Sequence, residues 1–298
     1  MTLRLGVLAD LHASPDPAER GSWFNPYDFA GMLGRVDAAL SWFAAEGVDV
    51  VALAGDLTHG ADAGAFDAVL ARCADASVCP LLAVAGNHDV DDGRAPLAAA
   101  LERRATERLR GARPEGERHG DVRLAGVHVG STEGWFRARL AQPPAVDAWG
   151  ADPVVLVSHY PLLSHATVIA EQGFAHPGDV LERRTIAQQL SARAAPTVVV
   201  SGHIHVRAVA THGPVLQLTQ SALIEPPFDA ALVELDASAD GGLCVRRRTF
   251  RAGASHAAYE PELAAAGGAW RFDGAHWRAD PGERPRSGQA GARLISSR

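Results

Sequence analysis

Histidine, aspartate and asparagine side chains recur at the ends of five apolar segments of this chain. The segments end in ADLH, AGD, AGNHD, VSHY and SGHIH. Imidazole nitrogens and carboxylate or amide oxygens bind transition-metal ions, and the same groups can transfer protons. The pattern therefore indicates a metal-dependent site with an acid–base group nearby. Its candidate residues are Asp10, His12, Asp56, Asn87, His88, His159, His203 and His205.

The spacing of His203 and His205 favours two metal ions over one. In an extended chain, residues two apart point to the same side and lie about 6–7 Å apart. Both rings can then face the cluster while Ile204 packs elsewhere. One catalytic ion that keeps an open coordination position would leave most of the candidate ligands unused, whereas two neighbouring ions use them all. Asp56, alone at the end of its segment, is the natural shared ligand.

The segments that carry these residues are predicted to be buried strands. Strand-like runs alternate with helix-like segments, which predicts a largely parallel sheet covered by helices. Such sheets bind ligands beyond the carboxyl ends of their strands, where the glycines at 55, 86 and 202 would allow close backbone approach. The predicted strands span 3–10, 48–56, 79–89, 120–131, 152–160, 195–206, 214–223, 230–237 and 243–250, and the predicted helices span 25–47, 62–76, 95–110 and 178–194.

Composition limits the classes of protein to which the chain can belong. It has 298 residues, of which 47% are hydrophobic, so it can bury a substantial core. A net charge of −7 excludes a protein that coats nucleic acid, because binding a phosphate backbone needs a basic surface. No apolar stretch approaches the roughly 18 residues of a membrane span, and no secretory pattern is present. We therefore expect a cytoplasmic protein with no membrane partner, and nothing in the sequence assigns an oligomeric state.

The predicted domain covers residues 1–250, whose last strands suggest a second sheet packed on the first. From 251 the chain is rich in glycine, alanine, proline and arginine. We expect 251–298 to be a C-terminal extension and not an independent domain.

The motifs DLH, GD, GNHD, a single histidine and GHIH, in this order, resemble the calcineurin-like metallophosphoesterase superfamily over roughly residues 3–237. The resemblance implies an α/β fold, a four-layer α/β/β/α sandwich, with a dinuclear metal site. It implies that one ion takes Asp10, His12, Asp56 and His205, and that the other takes Asp56, Asn87, His159 and His203. Within the superfamily the chain is most similar to bacterial class III cyclic-nucleotide phosphodiesterases and glycerophosphodiesterases, although SHYP stands where those enzymes usually have a doubled histidine.

The function that follows is hydrolysis of a small phosphodiester by a hydroxide that bridges two metal ions. Nitrogen and oxygen ligands without thiolates favour Mn, Fe, Zn or Co as the divalent transition-metal ions. His88, which no metal needs, is assigned to contact the phosphoryl group and to protonate the leaving alkoxide. A phosphomonoesterase with the same site is the first alternative. The second is a non-catalytic scaffold, which the complete ligand set disfavours.

Other polar and aromatic residues have simpler interpretations. Asp89 is as readily a helix cap as a site residue, and the arginines at 246–248 are expected on a solvated strand edge. Trp23, Phe24, Tyr27, Trp135 and Phe136 are expected to pack in the core, although Trp23 and Trp135 are also candidates to line a substrate pocket. The remaining histidines are expected to be structural or solvated: His59, His119, His128, His165, His176, His212, His256 and His276.

Overall fold

The computed structural model describes residues 2–16, 18, 26–91, 96–104, 108–134, 137–171, 178–237, 242–254 and 267–280. Within these ranges no helix has the length and apolar character needed to cross a membrane. The helices are α1 (Met32–Glu46), α2 (Ala63–Ala76), α3 (Pro96–Arg103), α4 (Ala166–Glu171) and α5 (Arg183–Ser191), with a short 3-10 helix at Val146–Trp149.

The first eight strands are β1 (Thr2–Leu8), β2 (Val50–Ala54), β3 (Leu81–Val84), β4 (Leu109–Gly111), β5 (Glu117–His119), β6 (Val122–Val127), β7 (Val129–Thr132) and β8 (Arg137–Leu140). The next five are β9 (Val154–Ser158), β10 (Asp179–Val180), β11 (Thr197–Ser201), β12 (Ala208–His212) and β13 (Val215–Thr219). The last four are β14 (Asp229–Ala237), β15 (Leu243–Arg251), β16 (Gly268–Phe272) and β17 (Trp277–Ala279).

Two large sheets stack face to face. The first has the order β17-β16-β15-β14-β1-β2-β3-β4, and the second has the order β12-β13-β11-β9-β6-β5. Strands β1 to β4 run parallel, as do β6, β9, β11 and β13. A small third sheet, β10-β8-β7, lies apart from these pairings. Strands β1, β2, β9 and β11 lie in the interior of these sheets and have apolar neighbours on both sides. Their side chains are therefore buried whichever face of the sheet they point to.

Alternation along the strands builds three apolar layers. In β2, Val51 and Leu53 pack on the side of α1 and α2, while Val50 and Ala52 face the other sheet. Strands β9 and β11 follow the same rule, and their outward side chains pack with α5 through residues such as Leu190. Successive side chains of a strand point to opposite faces, so one apolar run serves two layers. The predicted four-layer α/β/β/α sandwich is confirmed.

Helix boundaries differ from the prediction where a segment also contains a strand. The segment 95–110 was expected to be one helix, but α3 ends at Arg103 and β4 pairs with β3, placing Leu109 beside Leu81. Similarly, the segment 178–194 begins with β10, and α5 starts at Arg183. Tertiary pairing thus overrides a helical leucine spacing that the sequence alone supported. Helix α1 begins at Met32, although the helix was predicted from residue 25, and residues 19–25 lie outside the described ranges.

The C-terminal extension contributes two strands to the first sheet. Strand β16 pairs with β15, β17 pairs with β16, and Phe272 and Trp277 enter the core between the sheets. Strand β15 is consequently not an edge. The expectation of a solvated arginine run was wrong for Arg247, which is 2% exposed and whose guanidinium lies 5.8 Å from the ring centre of Trp270. Burial, followed by nearby Arg207, lowers the pKa of Arg247 to about 10.

Candidate metal centre

The carboxyl ends of β1, β2, β9 and β11 bring five of the predicted ligands into one cluster. Nε2 of His12 lies 3.4 Å from Nε2 of His205 and 3.6 Å from Oδ2 of Asp56. The same Asp56 oxygen lies 3.3 Å from Nε2 of His159. Oδ1 of Asp10 lies 3.4 Å from Nε2 of His205 and 4.0 Å from Nδ1 of His159. Aspartate oxygens therefore lie between histidine nitrogens throughout the cluster.

The cluster contains two groups of three side chains whose ligand atoms all lie within 4.8 Å of one another. One group is Asp10, His12 and His205, and the other is Asp10, Asp56 and His159. Mixed imidazole and carboxylate ligands suit first-row transition metals such as Mn, Fe, Co and Zn. Asp56, which contacts both His12 and His159, is placed to serve both ions. The residues present fit a dinuclear centre of this kind.

Hydrogen bonds fix which ring nitrogen of His159 points into the cluster. Nδ1 of His159 lies 3.0 Å from the carbonyl oxygen of Ala54, which can only accept, so Nδ1 carries the proton. Nε2 of His159 then faces Asp56, and Oδ1 of Asn87 lies 3.0 Å from it. An outer partner that fixes a ring in this way is typical of metal-binding histidines.

Sharp backbone turns aim five of the predicted ligands at the cluster. The values of φ are 53° for Asp10, 50° for His12, 49° for Asp56, 72° for His203 and 55° for His205. Residues other than glycine rarely adopt this left-handed conformation, which costs about 1–3 kcal/mol at each position. Such strain collects at functional sites, because the surrounding fold holds residues there in place.

Three glycines let the strand ends approach one another. A Cβ on Gly86 would overlap Asp56, and a Cβ on Gly202 would overlap the carboxylate of Asp10. A Cβ on Gly55 would lie 2.6 Å from Nδ1 of His159. The predicted close approach at residues 55, 86 and 202 is confirmed.

His203 supports the cluster through its backbone. Its N–H donates to both carboxylate oxygens of Asp10, at 3.0 and 3.1 Å. Its ring lies on Tyr160, with ring centres 3.8 Å apart, and its centre is 5.1 Å from that of His159. Among the described residues, the groups of three close ligand atoms do not include His203. Its role as a ligand stays a prediction.

His88 lies beside the cluster, with its backbone and its ring in different contacts. The backbone N–H donates to Oδ1 of Asp56 at 2.8 Å. Nδ1 of the ring donates to the carbonyl oxygen of His59 at 2.8 Å, and the ring centre is 4.7 Å from that of His12. With Nδ1 engaged by a carbonyl, Nε2 is the nitrogen that can transfer a proton to another molecule.

His59 and Tyr27 belong to the site although the sequence reasoning placed them elsewhere. His59 stacks on His88 with ring centres 5.1 Å apart, and its Nδ1 lies 3.2 Å from Nδ1 of His12. His12, His59 and His88 form a third group that could hold an ion. Tyr27 was expected to pack in the core, yet its ring centre is 5.2 Å from that of His12. Burial raises the pKa of Tyr27 to about 12, so its hydroxyl remains a donor.

Asp89 links two loops of the site, so the structure favours a site role over a helix cap. Its carboxylate accepts hydrogen bonds from the backbone N–H groups of Gly86, Leu57 and Thr58, at 2.9, 3.0 and 2.8 Å. Burial, followed by the charge of Asp56, raises the pKa of Asp89 to about 6, which still leaves it ionised at pH 7. Asp89 therefore fixes the GNHD loop to the loop that carries Asp56.

Histidine protons balance the carboxylate charges when no metal ion is present. Burial alone would lower the pKa of His159, but Asp56 outweighs this and raises it to about 9. Burial likewise works against ionisation of Asp56, yet His159 and His88 hold its pKa well below the ordinary value. Burial and the neighbouring His88 ring lower the pKa of His12 far below its usual range. The same cluster of side chains can thus hold positive charge either as protons or as metal ions.

The two tryptophans predicted as candidates to line a substrate pocket are not among the described residues. Trp23 and Trp135 lie in the gaps 19–25 and 135–136 of the described ranges, together with Phe24 and Phe136. The remaining histidines that were expected to be structural or solvated include buried His165 and exposed His212. The histidines at 176 and 256 also lie outside the described ranges.

Comparison with known proteins gives one family and several structural relatives. The family model described as calcineurin-like phosphoesterase matches residues 3–207. This range covers more than half of the chain and includes every predicted ligand. No curated protein sequence matches the chain.

Solved structures share the fold at low sequence identity. A dimetal phosphatase from Danio rerio has a TM-score of 0.54 at 14% identity, and the match covers 84% of this chain and 99% of that one. A purple acid phosphatase from yellow lupin seeds gives 0.55 at 15% identity, covering 83% of this chain and 51% of that one. A 5'-nucleotidase precursor from Thermus thermophilus gives 0.53 at 17% identity, covering 84% of this chain and 54% of that one. At these identities the likeness concerns the fold alone.

Proposed function

This chain belongs to the calcineurin-like phosphoesterase family, whose members depend on two metal ions, and on that premise we propose that it hydrolyses small phosphodiesters. The observation that carries the proposal is the convergence of Asp10, His12, Asp56, His159 and His205 at one edge of the two sheets. These buried carboxylates and hydrogen-bonded imidazoles lie on strained backbone. For stability alone, an apolar strand end would serve better.

Two divalent transition-metal ions fit these ligands. Asp10, His12, Asp56 and His205 would hold one ion, and Asp56, Asn87, His159 and His203 would hold the other. Bound there, the ions supply a nucleophile at neutral pH, because they lower the pKa of bound water.

The side chains of this protein orient the substrate and move protons. His88 contacts the phosphoryl group and, in its imidazolium form, protonates the leaving alkoxide from Nε2, while Nδ1 keeps its own proton on the carbonyl of His59. Tyr27, which stays protonated and whose ring lies 5.2 Å from that of His12, offers a second donor through its hydroxyl. Gly86 and Gly202 leave the space that the carboxylates of Asp56 and Asp10 occupy, and backbone N–H groups hold these carboxylates before substrate arrives.

The preference for diesters rests on the motif resemblance to class III cyclic-nucleotide phosphodiesterases and glycerophosphodiesterases. A phosphomonoesterase would use the same metal ligands and would differ in the segments 13–24, 91–95 and 130–150, which follow predicted strands. A phosphomonoester has a second charged oxygen on phosphorus where a phosphodiester has a second ester group. In a phosphodiesterase these segments would have to leave room for that group.

The proposal is tested by assaying the metal-reconstituted protein side by side on three substrates. These are bis(p-nitrophenyl) phosphate, p-nitrophenyl phosphate and cyclic AMP. Higher kcat/KM on the two diesters than on the monoester is the expected result. Faster turnover of p-nitrophenyl phosphate would establish the monoesterase alternative. Metal-loaded protein that turns over none of them would indicate a scaffold.

A further inference from the structure

Glu225 contacts the outer nitrogen of a predicted metal ligand. Its Oε1 lies 2.6 Å from Nδ1 of His205, and the Glu225 residue is 1% exposed. When Nε2 of His205 binds an ion it carries no proton, so Nδ1 carries the proton and donates the hydrogen bond to Glu225. A distance of 2.6 Å is short for a bond between a ring N–H and a carboxyl oxygen. It leaves Nε2 of His205 directed at Asp10 and His12.

A second buried contact joins the same two chain segments. Arg207, two residues after His205, pairs with Asp229, four residues after Glu225. Both partners are nearly inaccessible to solvent, and Ser221 donates to the Asp229 carboxylate at 3.2 Å. The loop after β11 is therefore fixed at two points to the segment that leads into β14, one at Glu225 and one at Asp229, the first residue of that strand. One point touches a metal-ligand ring, and the other does not.

We propose that Glu225 is a positioning residue for the metal ion that Asp10, His12 and His205 hold. The inference rests on the proposed dinuclear site. The carboxylate fixes the orientation of the His205 ring and the nitrogen that bears its proton, and it makes Nε2 a better electron donor to the ion. Outer partners of this kind are typically worth about 10–100-fold in metal affinity.

The alternative is that Glu225 only holds the loop in place, as Asp229 does. Asp229 supplies the matched control, because it is a buried carboxylate on the same segment that pairs with an arginine instead of a ligand ring. If the role of Glu225 were merely structural, Glu225→Gln and Asp229→Asn would have the same effect on metal binding. Glu225→Gln keeps the size of the side chain and an accepting oxygen, so it protects against simple misfolding.

The experiment measures Zn²⁺ affinity by competition with a chromophoric chelator for the full-length wild-type protein, Glu225→Gln, Glu225→Ala and Asp229→Asn. We expect one of the two zinc sites to weaken by about 10–100-fold in Glu225→Ala and by less in Glu225→Gln. Asp229→Asn is expected to lose stability and keep both affinities. In the zinc-loaded wild type, a long-range ¹H–¹⁵N spectrum should show a protonated His205 Nδ1 with a downfield proton. That proton should move upfield in Glu225→Gln.

The outcomes separate this inference from the proposed function. Unchanged zinc affinity and an unchanged His205 proton in Glu225→Gln would overturn the positioning role while leaving the dinuclear site intact. Equal weakening in Glu225→Gln and Asp229→Asn would also overturn it, in favour of a structural role. A wild-type protein that binds none of Mn²⁺, Fe²⁺, Co²⁺ and Zn²⁺ would overturn the dinuclear site on which the proposed function rests.

Discussion

The backbone N–H of His88 donates to Oδ1 of Asp56 at 2.8 Å, while the ring of His88 makes its hydrogen bond elsewhere, to the carbonyl of His59. Asp56, the proposed bridging ligand, is thus held by the main chain of His88, the proposed acid, and not by the His88 ring. Removing the ring should leave the support of Asp56 in place, so the two roles can be tested separately.

His88→Ala should retain both metal ions and lose activity in proportion to the basicity of the leaving group. General acid catalysis is typically worth about 10²–10⁴-fold, so substrates with alkoxide leaving groups should lose that much in kcat/KM. A p-nitrophenyl ester should lose far less, because p-nitrophenolate departs without a proton. A series of diesters with graded leaving groups, together with elemental analysis, checks both statements.

His203→Ala is the comparison for that variant. Because His203 is a proposed ligand, the His203→Ala protein should lose metal and should lose activity on every substrate alike. Equal losses across all leaving groups in His88→Ala would restrict His88 to binding the phosphoryl group. Loss of an ion in that variant would place His88 among the ligands, together with His12 and His59.

Asp56→Asn should lower metal occupancy at both positions. Its carboxylate lies between His12 and His159, at 3.6 and 3.3 Å, and a neutral amide offers only one oxygen to two ions. Elemental analysis of protein purified without chelators should give about two ions per chain for the wild type and clearly fewer for the variant. Asp62→Asn is the control, because Asp62 caps α2 and asparagine caps equally well. Full metal content and activity in Asp56→Asn would rule out the bridging role.

Gly86→Ala should damage both stability and metal binding. The added Cβ would overlap the backbone nitrogen of Asp56 as well as its carboxylate, so a change of side-chain rotamer cannot relieve the clash. A cost of about 1–3 kcal/mol in the free energy of unfolding is expected from overpacking. Gly34→Ala is the matched control, since this exposed glycine of α1 has no atom within 4 Å of a built Cβ. The free energy of unfolding of Gly34→Ala, measured by chemical denaturation, should rise by about 0.5–1 kcal/mol. A Gly86→Ala protein as stable as Gly34→Ala would contradict the prediction.

Acid should destabilise the fold partly through His165, which is buried and is not one of the predicted metal ligands. Nε2 of His165 accepts from the amide of Gln217 at 2.8 Å, and burial lowers the pKa of His165 to about 4. The unfolded chain has a histidine pKa of about 6.5 and so binds more protons between these values. The stabilisation from a neutral His165 is therefore complete above about pH 6.5 and is lost as the pH falls towards 4.

In His165→Gln the free energy of unfolding should depend less on pH between about 6.5 and 4. Denaturation of metal-free protein at pH 7 and at pH 5 should show a smaller acid-induced loss in the variant than in the wild type. The full effect is on the order of 3 kcal/mol by the time the pH reaches 4. His212→Gln, at an exposed position of β12, serves as the control. An identical pH dependence in wild type and His165→Gln would count against the neutral, buried histidine.

Much of the fold and of the site follows from short-range features of the sequence. Alternating apolar runs predict strands because a buried strand must show apolar side chains on both faces, as Val51 and Val50 do in β2. Parallel strands then place their carboxyl ends together, so residues such as Asp10, Asp56 and His159 converge without any knowledge of the tertiary structure. The glycines at 86 and 202 were interpretable for the same reason, since each directly adjoins a predicted ligand.

Tertiary packing decided the features that depend on residues distant in sequence. Leu109 has the spacing of a helix but pairs with Leu81 in a sheet, and Arg247 is buried because β16, from the far end of the chain, covers β15. Glu225 carries no motif and follows His205 by twenty positions, so only the fold shows that it contacts Nδ1 of that ring. The sequence by itself determined which side chains could bind metal ions, because ligand type and strand-end position are local properties. Which groups orient those ligands depended on the contacts between segments, because an outer partner needs only proximity and leaves no spacing in the chain.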